Sequence, residues 1–500
     1  MTNLRAKQLL FCLLLIATIC ACNREKGVDI DMLISKYSKD SKDSIKLQAV
    51  EFLKENLENQ VSEKLIAFNE ETGKEVKIDF DTIVNSENLK KTIRDSNLIF
   101  KVIQVKDAKE LSNEFIEDQI NAFDVFCKNV PWTKRVKKDV LLNYLLPYKI
   151  YWEEPGDWRN YFFLRNKSLI AESISDNLVD TMSLDRAVLF LIGAVDGRNE
   201  GWFNYSEEHI AYTNAAPSFK WIKSVRKGDC SSEANANAYL LRSVGIPATV
   251  DYVPMWGSRN SGHAAAVGLD SNGNIYPQYR LWGAAKIFRF TFKRHLIWTK
   301  EIKPYLGMDS FLINSIKHDH WLDVTSSHIK TSDVGFLLPK AISKKFAYIC
   351  AYNYGRWQPV FWGKIDQNKK VVFKEMGRNI LYCLAIPNGK SYSLYGQAFL
   401  LDTAGVVKKY RPLYHAVTNL TVSKVNTGSD SWIKKGEKYT LSYLDENSQW
   451  KDHGTQIAER DSIIDFKNLP SNSLYRIKKG LDERNLSRPF IYTSNGQQWY

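Results

Sequence analysis

The segment Gly228-Asp229-Cys230-Ser231-Ser232-Glu233-Ala234 places a cysteine where a helix is expected to begin. In the first turn of a helix, a thiol faces unpaired backbone N–H groups and the positive end of the helix dipole, which favour the thiolate and can hold an oxyanion. His263 follows Ser261-Gly262 and opens a predicted strand, so it is the candidate proton-transfer partner. The pair predicts a thiol nucleophile with a histidine base. From chemistry alone, a core cysteine and a hydrogen-bonded structural histidine fit the same residues.

The elements that must position this pair follow from the spacing of apolar and turn-forming residues. A helix is expected from Ser231 to Ser243, where Ala234 and Ala238 leave one face free to pack closely on a sheet. Gly245 and Pro247 end this helix. Strands are expected at Ala248 to Val253, at His263 to Leu269 and after Ser271-Asn272-Gly273-Asn274. A helix followed by a meander of strands indicates an α+β domain.

The chain of 500 residues is too long for one hydrophobic core. From about residue 29 to 149, apolar residues recur three and four positions apart, which predicts an amphipathic helical module. Beyond residue 323, short β-branched and aromatic runs alternate with turns and predict two β-sandwiches in series. The second, which includes Leu469-Pro470-Ser471-Asn472-Ser473-Leu474-Tyr475, loosely resembles jelly rolls. We therefore expect an α+β protein with a signal peptide at 1–21, a helical N-terminal module at 22–160, a core at 161–330 and β-sandwiches at 331–411 and 412–500.

The N-terminus has the pattern of an export signal. Arg5 and Lys7 precede an apolar run from Leu9 to Ile19, which is too short to span a bilayer core of ~30 Å comfortably. Cys22 follows a small residue and is the expected lipidated first residue of a bacterial lipoprotein. An ordinary cleaved leader and an uncleaved anchor are the alternatives. We expect a lipid-anchored protein in the cell envelope of a Gram-negative-type bacterium, either periplasmic or surface-exposed.

Charge and cysteine content restrict the possible partners. The formal net charge of +13 falls to +11 when Arg5 and Lys7 leave with the leader. Basic residues are scattered and no nucleic-acid-binding motif is present, so we interpret the charge as a solvated surface. Outside the leader and Cys22, four cysteines remain, too few for a disulfide scaffold: Cys127, Cys230, Cys350 and Cys383. Cys350 and Cys383 either form one disulfide or remain buried thiols.

Three segments match a known pattern in order and spacing: Gly228-Asp229-Cys230, Leu241-Arg242-Ser243-Val244-Gly245-Ile246-Pro247-Ala248, and Gly262-His263-Ala264. They resemble the transglutaminase-like core family, whose fold is related to that of papain, over roughly residues 183 to 323. The run from Asp251 to Arg259 is similar to the versions found in bacterial lipoproteins. The resemblance implies that Cys230 is the nucleophile and His263 the general base, on a helix and a facing sheet. We expect no cofactor and no bound metal.

The sequence departs from the family pattern at the third catalytic position. The family usually has an aspartate there, where this chain has Gln278-Tyr279-Arg280. Gln278 could orient a neutral imidazole through its amide oxygen, but it would stabilise an imidazolium less than a carboxylate does. Asp270 cannot substitute, because seven strand residues of ~3.3 Å each put it on the order of 23 Å from His263. The usual tryptophan after His-Ala is replaced by Ala265.

Three tryptophans are candidates for the substrate groove or for binding the oxyanion. Trp202 and Trp221 precede the cysteine, as an oxyanion-binding tryptophan does in some relatives. Trp256 is expected to line the groove between helix and sheet or to pack beneath it. His318-Asp319-His320 places two imidazoles on one side of a predicted strand, but no third ligand is predicted, so we interpret the segment as structural.

Two functions fit these features. The first is an exported enzyme that acts on amide bonds of peptides or glycopeptides by a Cys-His mechanism, either as a thiol amidohydrolase or peptidase or as an acyltransferase. The second is a catalytically silent cell-surface protein that binds a glycan or peptide. The absence of the standard aspartate favours the second, and the Cys230 segment favours the first.

Overall fold

The computed structural model describes residues 27–165, 202–206, 216–276, 281–295, 319–389, 391–427, 431–480, 482 and 486–500. Helices dominate its first part and β-sheets its last, so the chain is of the mixed α+β class. Cys22, Gln278 and His318 lie outside the described residues. Within the described part, no helix combines the length and the apolar character needed to cross a membrane.

The N-terminal module, which was expected to be helical, also contains an antiparallel sheet of three strands. Its α-helices are α1 (Ile30–Tyr37), α2 (Ser44–Asn56), α3 (Ser86–Asp95), α4 (Asp107–Glu110), α5 (Asn113–Asn129) and α6 (Lys138–Tyr144), and short 3-10 turns lie at Ser41–Asp43, Leu57–Asn59 and Pro131–Arg135. Its strands are β1 (Val61–Asn69), β2 (Glu75–Val76) and β3 (Leu98–Lys106), in the order β2-β1-β3. The expectation of helix was wrong at β1 and β3. The β-branched and aromatic residues of β3 favour a strand, and β1 pairs with it along its whole length.

The N-terminal module packs directly on the central domain. Ile120 of α5 lies in the same buried hydrophobic cluster as Leu241 and Val267 of the central domain. Lys149, which is 1% exposed, forms an ion pair with the fully buried Asp107 at 2.6 Å. A charged pair so deep in the protein must be mutually neutralised, so this contact fixes how the connecting segment leaves the module.

The central domain is a five-stranded antiparallel sheet with a helix packed against it. Its described elements are β4 (Asn204–Tyr205), α7 (Phe219–Val225), β5 (Lys227–Gly228), α8 (Cys230–Ser243), β6 (Ala248–Val253), β7 (His263–Leu269), β8 (Ile275–Tyr276), β9 (Phe288–Phe290), β10 (Trp321–Asp323) and α9 (Thr325–His328). The sheet order is β10-β9-β6-β7-β8. Ala234 and Ala238 of α8 pack against Val250 and Ala264 of the sheet. The predicted bounds of β6 and β7 are confirmed, and the predicted helix begins one residue earlier, at Cys230.

Two β-rich regions complete the chain. Their strands are β11 (Thr331–Leu337), β12 (Phe346–Asn353), β13 (Arg356–Lys364), β14 (Lys370–Gly377), β15 (Ile380–Asn388), β16 (Ser391–Leu401) and β17 (Val407–Lys409), then β18 (Leu413–Val422), β19 (Lys438–Leu444), β20 (Trp450–Ile457), β21 (Ile464–Ser471), β22 (Tyr475–Lys479), β23 (Phe490–Thr493) and β24 (Gly496–Trp499). Each region pairs a five-stranded sheet with a two-stranded one, β11-β14 in the first and β18-β21 in the second. Phe373 and Tyr382 share a buried cluster between the sheets of the first region, as Phe466 and Ile477 do in the second. This packing is consistent with β-sandwiches.

Cys350 and Cys383 are direct cross-strand partners on β12 and β15. Both are buried, and both are free thiols in the structure. Of the two alternatives left open by the sequence, the structure has the pair of thiols.

Candidate functional site

Cys230 is the first residue of α8, and the residues before it determine where the helix starts. Asp229 is the N-cap, and its Oδ1 accepts hydrogen bonds from the backbone N–H and the hydroxyl of Ser232, both at 2.9 Å. Gly228 is required by close packing, because a Cβ at this position would lie 2.5 Å from the Ser232 side chain and 3.1 Å from Phe203. The order Gly-Asp-Cys therefore places the thiol in the first helical turn.

The middle and end of α8 are anchored to the segment that leads out of the N-terminal module. The Tyr239 hydroxyl donates to Oε1 of the fully buried Glu153 at 2.6 Å. Arg242 is also buried, and its guanidinium donates to three backbone carbonyls, those of Ala248 at 2.7 Å, Lys149 at 2.8 Å and Pro147 at 3.1 Å. Sequence reasoning assigned no role to Glu153. The signal for Arg242 was a charged residue in an otherwise apolar helix end.

The Cys230 thiol lies against the backbone of β7. It packs on the cluster that contains Ala264, and a backbone hydrogen bond from Ala264 reaches it. Burial raises the pKa of the thiol above its usual value; the hydrogen bonds from Ala264 and Ser231 lower it, but the Asp229 carboxylate adds to the rise. The thiolate expected from the helix start is therefore not what the resting structure favours. Desolvation, with a smaller contribution from the Asp229 carboxylate, outweighs these hydrogen bonds, so the protonated thiol is favoured at neutral pH.

His263 is the first residue of β7, and its ring stacks on Trp256 with 5.8 Å between the ring centroids. Successive strand side chains point to opposite faces, so His263 points away from the cluster that holds Ala264 and Cys230. Between these two described residues, no hydrogen bond joins the imidazole to the thiol. Burial lowers the pKa of His263 and the nearby Arg259 lowers it further. The structure thus places the thiol of α8 against Ala264, the residue after His263 on β7, and the imidazole on the other face of the strand.

The Trp256 ring also contacts Arg259, whose guanidinium carbon lies 3.7 Å from the centre of the indole ring system. This distance is that of a close cation–π contact. The Arg259 side chain is exposed, and among the described residues no carboxylate lies within ion-pair distance of it. An available cation therefore stands beside His263.

The loop between β6 and β7, residues 254–262, is held by Asn353 from the first β-rich region. Ser261, two positions before His263, has a φ of 78°, a conformation that is strained for any residue but glycine. Asn353 Oδ1 accepts from the Ser261 N–H at 3.1 Å, and its Nδ2 donates to the carbonyls of Ser261 at 3.1 Å and Trp256 at 3.0 Å. Asn353 is only 1% exposed. One buried amide thus fixes both backbone groups of the strained residue.

Arg488 holds the same loop from the second β-rich region. Its guanidinium donates to the Gly257 carbonyl, to Oδ1 of Asn260 at 3.3 Å and to the Tyr352 carbonyl at 2.8 Å. Burial lowers the pKa of Arg488 to about 10, which leaves it charged at neutral pH. Sequence reasoning missed Asn353 and Arg488. They lie 92 and 231 positions from the loop residues they bind, and no local pattern marks them.

A buried carboxylate, that of Asp251, lies on β6, but it already binds two other side chains. Asp251 accepts two hydrogen bonds from Arg289, at 2.8 Å each, and its Oδ2 lies 2.7 Å from Nε2 of His328. Burial alone would raise the pKa of Asp251, but the Arg289 guanidinium and His328 hold it below its usual value. Asp251 is therefore a structural counterion. The expected third position, Gln278, lies outside the described residues.

The three tryptophan candidates occupy different surroundings. Trp202 lies in the same cluster as Cys230, and its Nε1 donates to the Tyr161 hydroxyl at 3.0 Å. Trp221 packs in a separate cluster with Ile83 and Leu89 of the N-terminal module, so the structure does not bring it to Cys230. Trp256 is the one of the three whose ring contacts His263. In the described part of the chain, no group of three or more His, Cys, Asp or Glu side chains could hold a metal ion.

The chain was compared with known proteins. A scan against protein-family models found no matching family. A search of curated proteins found no match. The functional interpretation therefore rests on the residues and geometry of this chain.

Proposed function

We propose that the protein is a thiol-dependent enzyme of transglutaminase-like, papain-related type that acts on amide bonds of peptides or glycopeptides. The observation that carries the proposal is the position of Cys230 at the start of α8, with its thiol against Ala264, one residue from His263 on β7. A helix-borne thiol packed on the strand that carries the histidine becomes a nucleophile–base pair once the imidazole moves to the face of the sheet that holds the thiol. Backbone strain held in place beside the histidine, at Ser261, also favours a functional site.

In the proposed reaction, substrate binding brings the neutral His263 imidazole to the thiol. For this, the backbone at the start of β7 turns, so that the ring leaves Trp256 and reaches the face of the sheet that holds the thiol. The ring then accepts the thiol proton, and the sulfur attacks the amide carbonyl. The Asp229 cap does not use the N–H groups of Cys230 and Ser231, which can stabilise the tetrahedral oxyanion. The C–N bond then breaks, the amine leaves with the proton from His263, and a thioester remains. Water attacks the thioester with His263 as base, which releases a carboxylic acid and restores the thiol. Attack by an amine instead of water would give transfer.

Arg259 narrows the class of substrate. It is an exposed cation beside His263 and has no carboxylate partner among the described residues. A planar guanidinium binds carboxylates in a bidentate manner. We therefore expect the preferred substrate to carry a carboxylate close to the amide bond that is cleaved.

We propose that the enzyme is exported and anchored by lipid on Cys22, in the cell envelope of a Gram-negative-type bacterium. The support is the sequence pattern of residues 1–22. Expression of the full chain with a labelled fatty acid tests this. Label in the wild type and none in Cys22→Ser is the expected result, and label retained in the variant would overturn it.

Site-resolved alkylation tests the catalytic proposal, with Cys127 as an internal control. Cys127 is another partly buried thiol, and burial, with a smaller contribution from Asp124, raises its pKa to about 12. The folded protein is treated between pH 6 and 10 with an acidic peptidyl chloromethyl ketone, an alkylating agent that occupies the site as a substrate does, and each cysteine peptide is quantified by mass spectrometry. We expect Cys230 to react faster than Cys127, and His263→Ala to slow Cys230 alone, about tenfold or more. Equal rates at Cys230 in the wild type and the variant would contradict the proposal.

A peptide library tests whether the Cys230 thiol is needed for cleavage of amide bonds. Wild-type protein and Cys230→Ala are incubated with peptides that have carboxylates at varied distances from each amide, and new N-termini are mapped. We expect cleavage by the wild type alone. If neither protein cleaves but both bind the same ligands, the second candidate, a silent glycan- or peptide-binding protein, is the correct one. The raised pKa of Cys230 and the unjoined imidazole favour this second function.

A further inference from the structure

A cavity of about 220 Å³ lies between the N-terminal module and the central sheet, away from Cys230 and His263, which do not line it. Its walls come from residues 59–61 and Gln104 of the module, from residues 150–152 of the connecting segment, and from residues around β9 and β10. The space is smaller than a drug-sized pocket, so it admits a single ring or side chain rather than a polymer.

Three aromatic side chains line the cavity: Tyr151, Trp152 and Trp321. Phe290 covers one face of Tyr151, with 4.4 Å between the ring centroids and an interplanar angle of 4°. Trp321 is held by the same Phe290, at 5.7 Å. These contacts fix the rings without any ligand, so the apolar walls are preformed.

The charged groups of the cavity neutralise each other. Arg294 Nε donates to Oδ2 of Asp319, and its Nη1 donates to Oδ1 of Asn59 at 3.0 Å. All three residues line the cavity. The guanidinium is therefore fixed in position, with further N–H donors beyond these two bonds. Since the charges of this ion pair cancel, the described residues of the cavity wall offer hydrogen bonds but no net charge, which disfavours a phosphate or a carboxylate as ligand.

His320 supplies an acceptor. Its Nδ1 lies 3.0 Å from the Phe292 carbonyl, which can only accept, so Nδ1 carries the hydrogen. Burial lowers the pKa of His320 to about 4, so the ring is neutral at neutral pH and its Nε2 is an acceptor. The hydrogen bonds of the described residues include none at this Nε2. Gln104, on the exposed side of the cavity, adds an amide that both donates and accepts.

We propose that this cavity binds one neutral sugar ring of a glycan. A sugar ring has an apolar face for the aromatic walls and hydroxyls that both donate and accept, as Arg294, His320 and Gln104 require. The aromatic side chain of a peptide would fill the same space but leave the buried His320 acceptor and the Arg294 donors without partners, which disfavours it. This inference does not depend on catalysis at Cys230.

The test is binding of the full-length protein to a panel of α- and β-linked disaccharides of glucose, galactose, mannose and N-acetylglucosamine. Saturation-transfer NMR identifies the bound sugar, and calorimetry gives its affinity. We expect at least one disaccharide to bind at millimolar concentration or better. Trp152→Ala and Gln104→Ala should each weaken it, the former about tenfold or more. Gln104 lies on an exposed position of β3, so its variant keeps the test valid if Trp152→Ala does not fold.

Matched controls separate this cavity from other sites. Trp432→Ala removes an indole that is 45% exposed on the second β-rich region, and it should leave binding unchanged. Cys230→Ala should also bind normally, whatever its effect on amide cleavage. The proposal is overturned if no sugar in the panel binds, or if binding is lost in Trp432→Ala and kept in both cavity variants. Binding of aromatic peptides but not of sugars would also overturn it.

Discussion

The two members of the predicted pair are held by different parts of the chain. Cys230 is positioned by its immediate neighbours, Asp229 and Ser232, and by a helix that Arg242 anchors to nearby backbone. His263 follows a loop whose conformation depends on Asn353 and residues farther along the chain. The nucleophile is thus a product of local sequence, whereas the surroundings of the base are a product of tertiary structure. The β-rich regions can therefore act on the site without contributing a reacting group.

The largest effect is expected from a change in the residues that position Cys230 locally, namely the loss of the Arg242 anchor of α8. Arg242→Ala removes the guanidinium donor of three buried carbonyls, those of Ala248, Lys149 and Pro147; the last keeps only a 3.4 Å hydrogen bond from Arg159. We expect the free energy of unfolding to fall by about 3–5 kcal/mol, measured by urea denaturation. Arg94→Ala is the matched control. This side chain is 77% exposed, and its loss should change stability by less than about 0.5 kcal/mol. Equal effects of the two variants would contradict the anchoring role of Arg242.

Asn353→Ala removes the contacts that hold loop 254–262 before His263. We expect a smaller loss in the free energy of unfolding, about 1–3 kcal/mol. Its specific effect is on the site: without the amide, Ser261 leaves its strained conformation, and alkylation of Cys230 loses its dependence on His263. Adding Ser261→Gly should restore that dependence in part, because glycine adopts a φ of 78° without strain.

Ser258→Gly is the control for this rescue. Ser258 lies in the same loop but does not have a positive φ. If both glycine substitutions restore the alkylation pattern of Asn353→Ala, general loop flexibility explains the result and the role assigned to Ser261 is wrong.

Asp229→Asn tests whether the Asp229 carboxylate raises the pKa of the Cys230 thiol. Asparagine still accepts the hydrogen bond of the Ser232 N–H, so the helix cap is kept, but the carboxylate that raises the pKa of Cys230 is gone. The pKa of the thiol should fall, so the thiolate fraction at a fixed pH near 8 increases. Iodoacetamide should then alkylate Cys230 faster, with unchanged thermal stability. A slower reaction would show that Asp229 does not act through its charge.

The smallest expected effect is a change in the pKa of His263. Arg259 lowers the pKa of His263, so Arg259→Gln should raise it. The imidazole then stays protonated to a higher pH, and the acidic limb of any His263-dependent activity moves upward. NMR titration of the His263 ring measures the shift directly. Arg356→Gln, an exposed arginine of β13, should leave the titration unchanged. A downward shift in Arg259→Gln would contradict the electrostatic role.

Local signals in the sequence were enough for the elements that carry the pair. The bounds of β6 and β7 follow from turn-forming residues on either side, and α8 follows from a cap and a terminal glycine. The same reasoning gave helix for β1 and β3, because apolar spacing alone does not show which segments will pair. The strand pairing between positions 61 and 106 is a contact between distant residues.

The side-chain arrangement of the site could not be predicted for the same reason. Trp221 was a candidate neighbour of Cys230, yet its ring packs against residues more than a hundred positions earlier, such as Ile83. The pKa of Cys230 was expected to fall, because the dipole of a helix can be inferred from sequence, whereas burial by the facing sheet cannot. The cavity at Trp321 combines five separate stretches of the chain and has no sequence signature.

The contacts that Asn353 and Arg488 make with loop 254–262 can form only late in folding. Chains are synthesised from the N-terminus and domains generally fold as units, so α8 and its thiol can form while the β-rich regions are still incomplete. Ser261 is held only after Asn353 has been built into β12, and Gly257 only after Arg488 has folded into place. A nascent or truncated chain would therefore present a thiol before His263 has reached its folded position. Maturation of the site would be delayed until nearly the whole polypeptide has folded, and unwanted reactions of the thiol before that point would be suppressed.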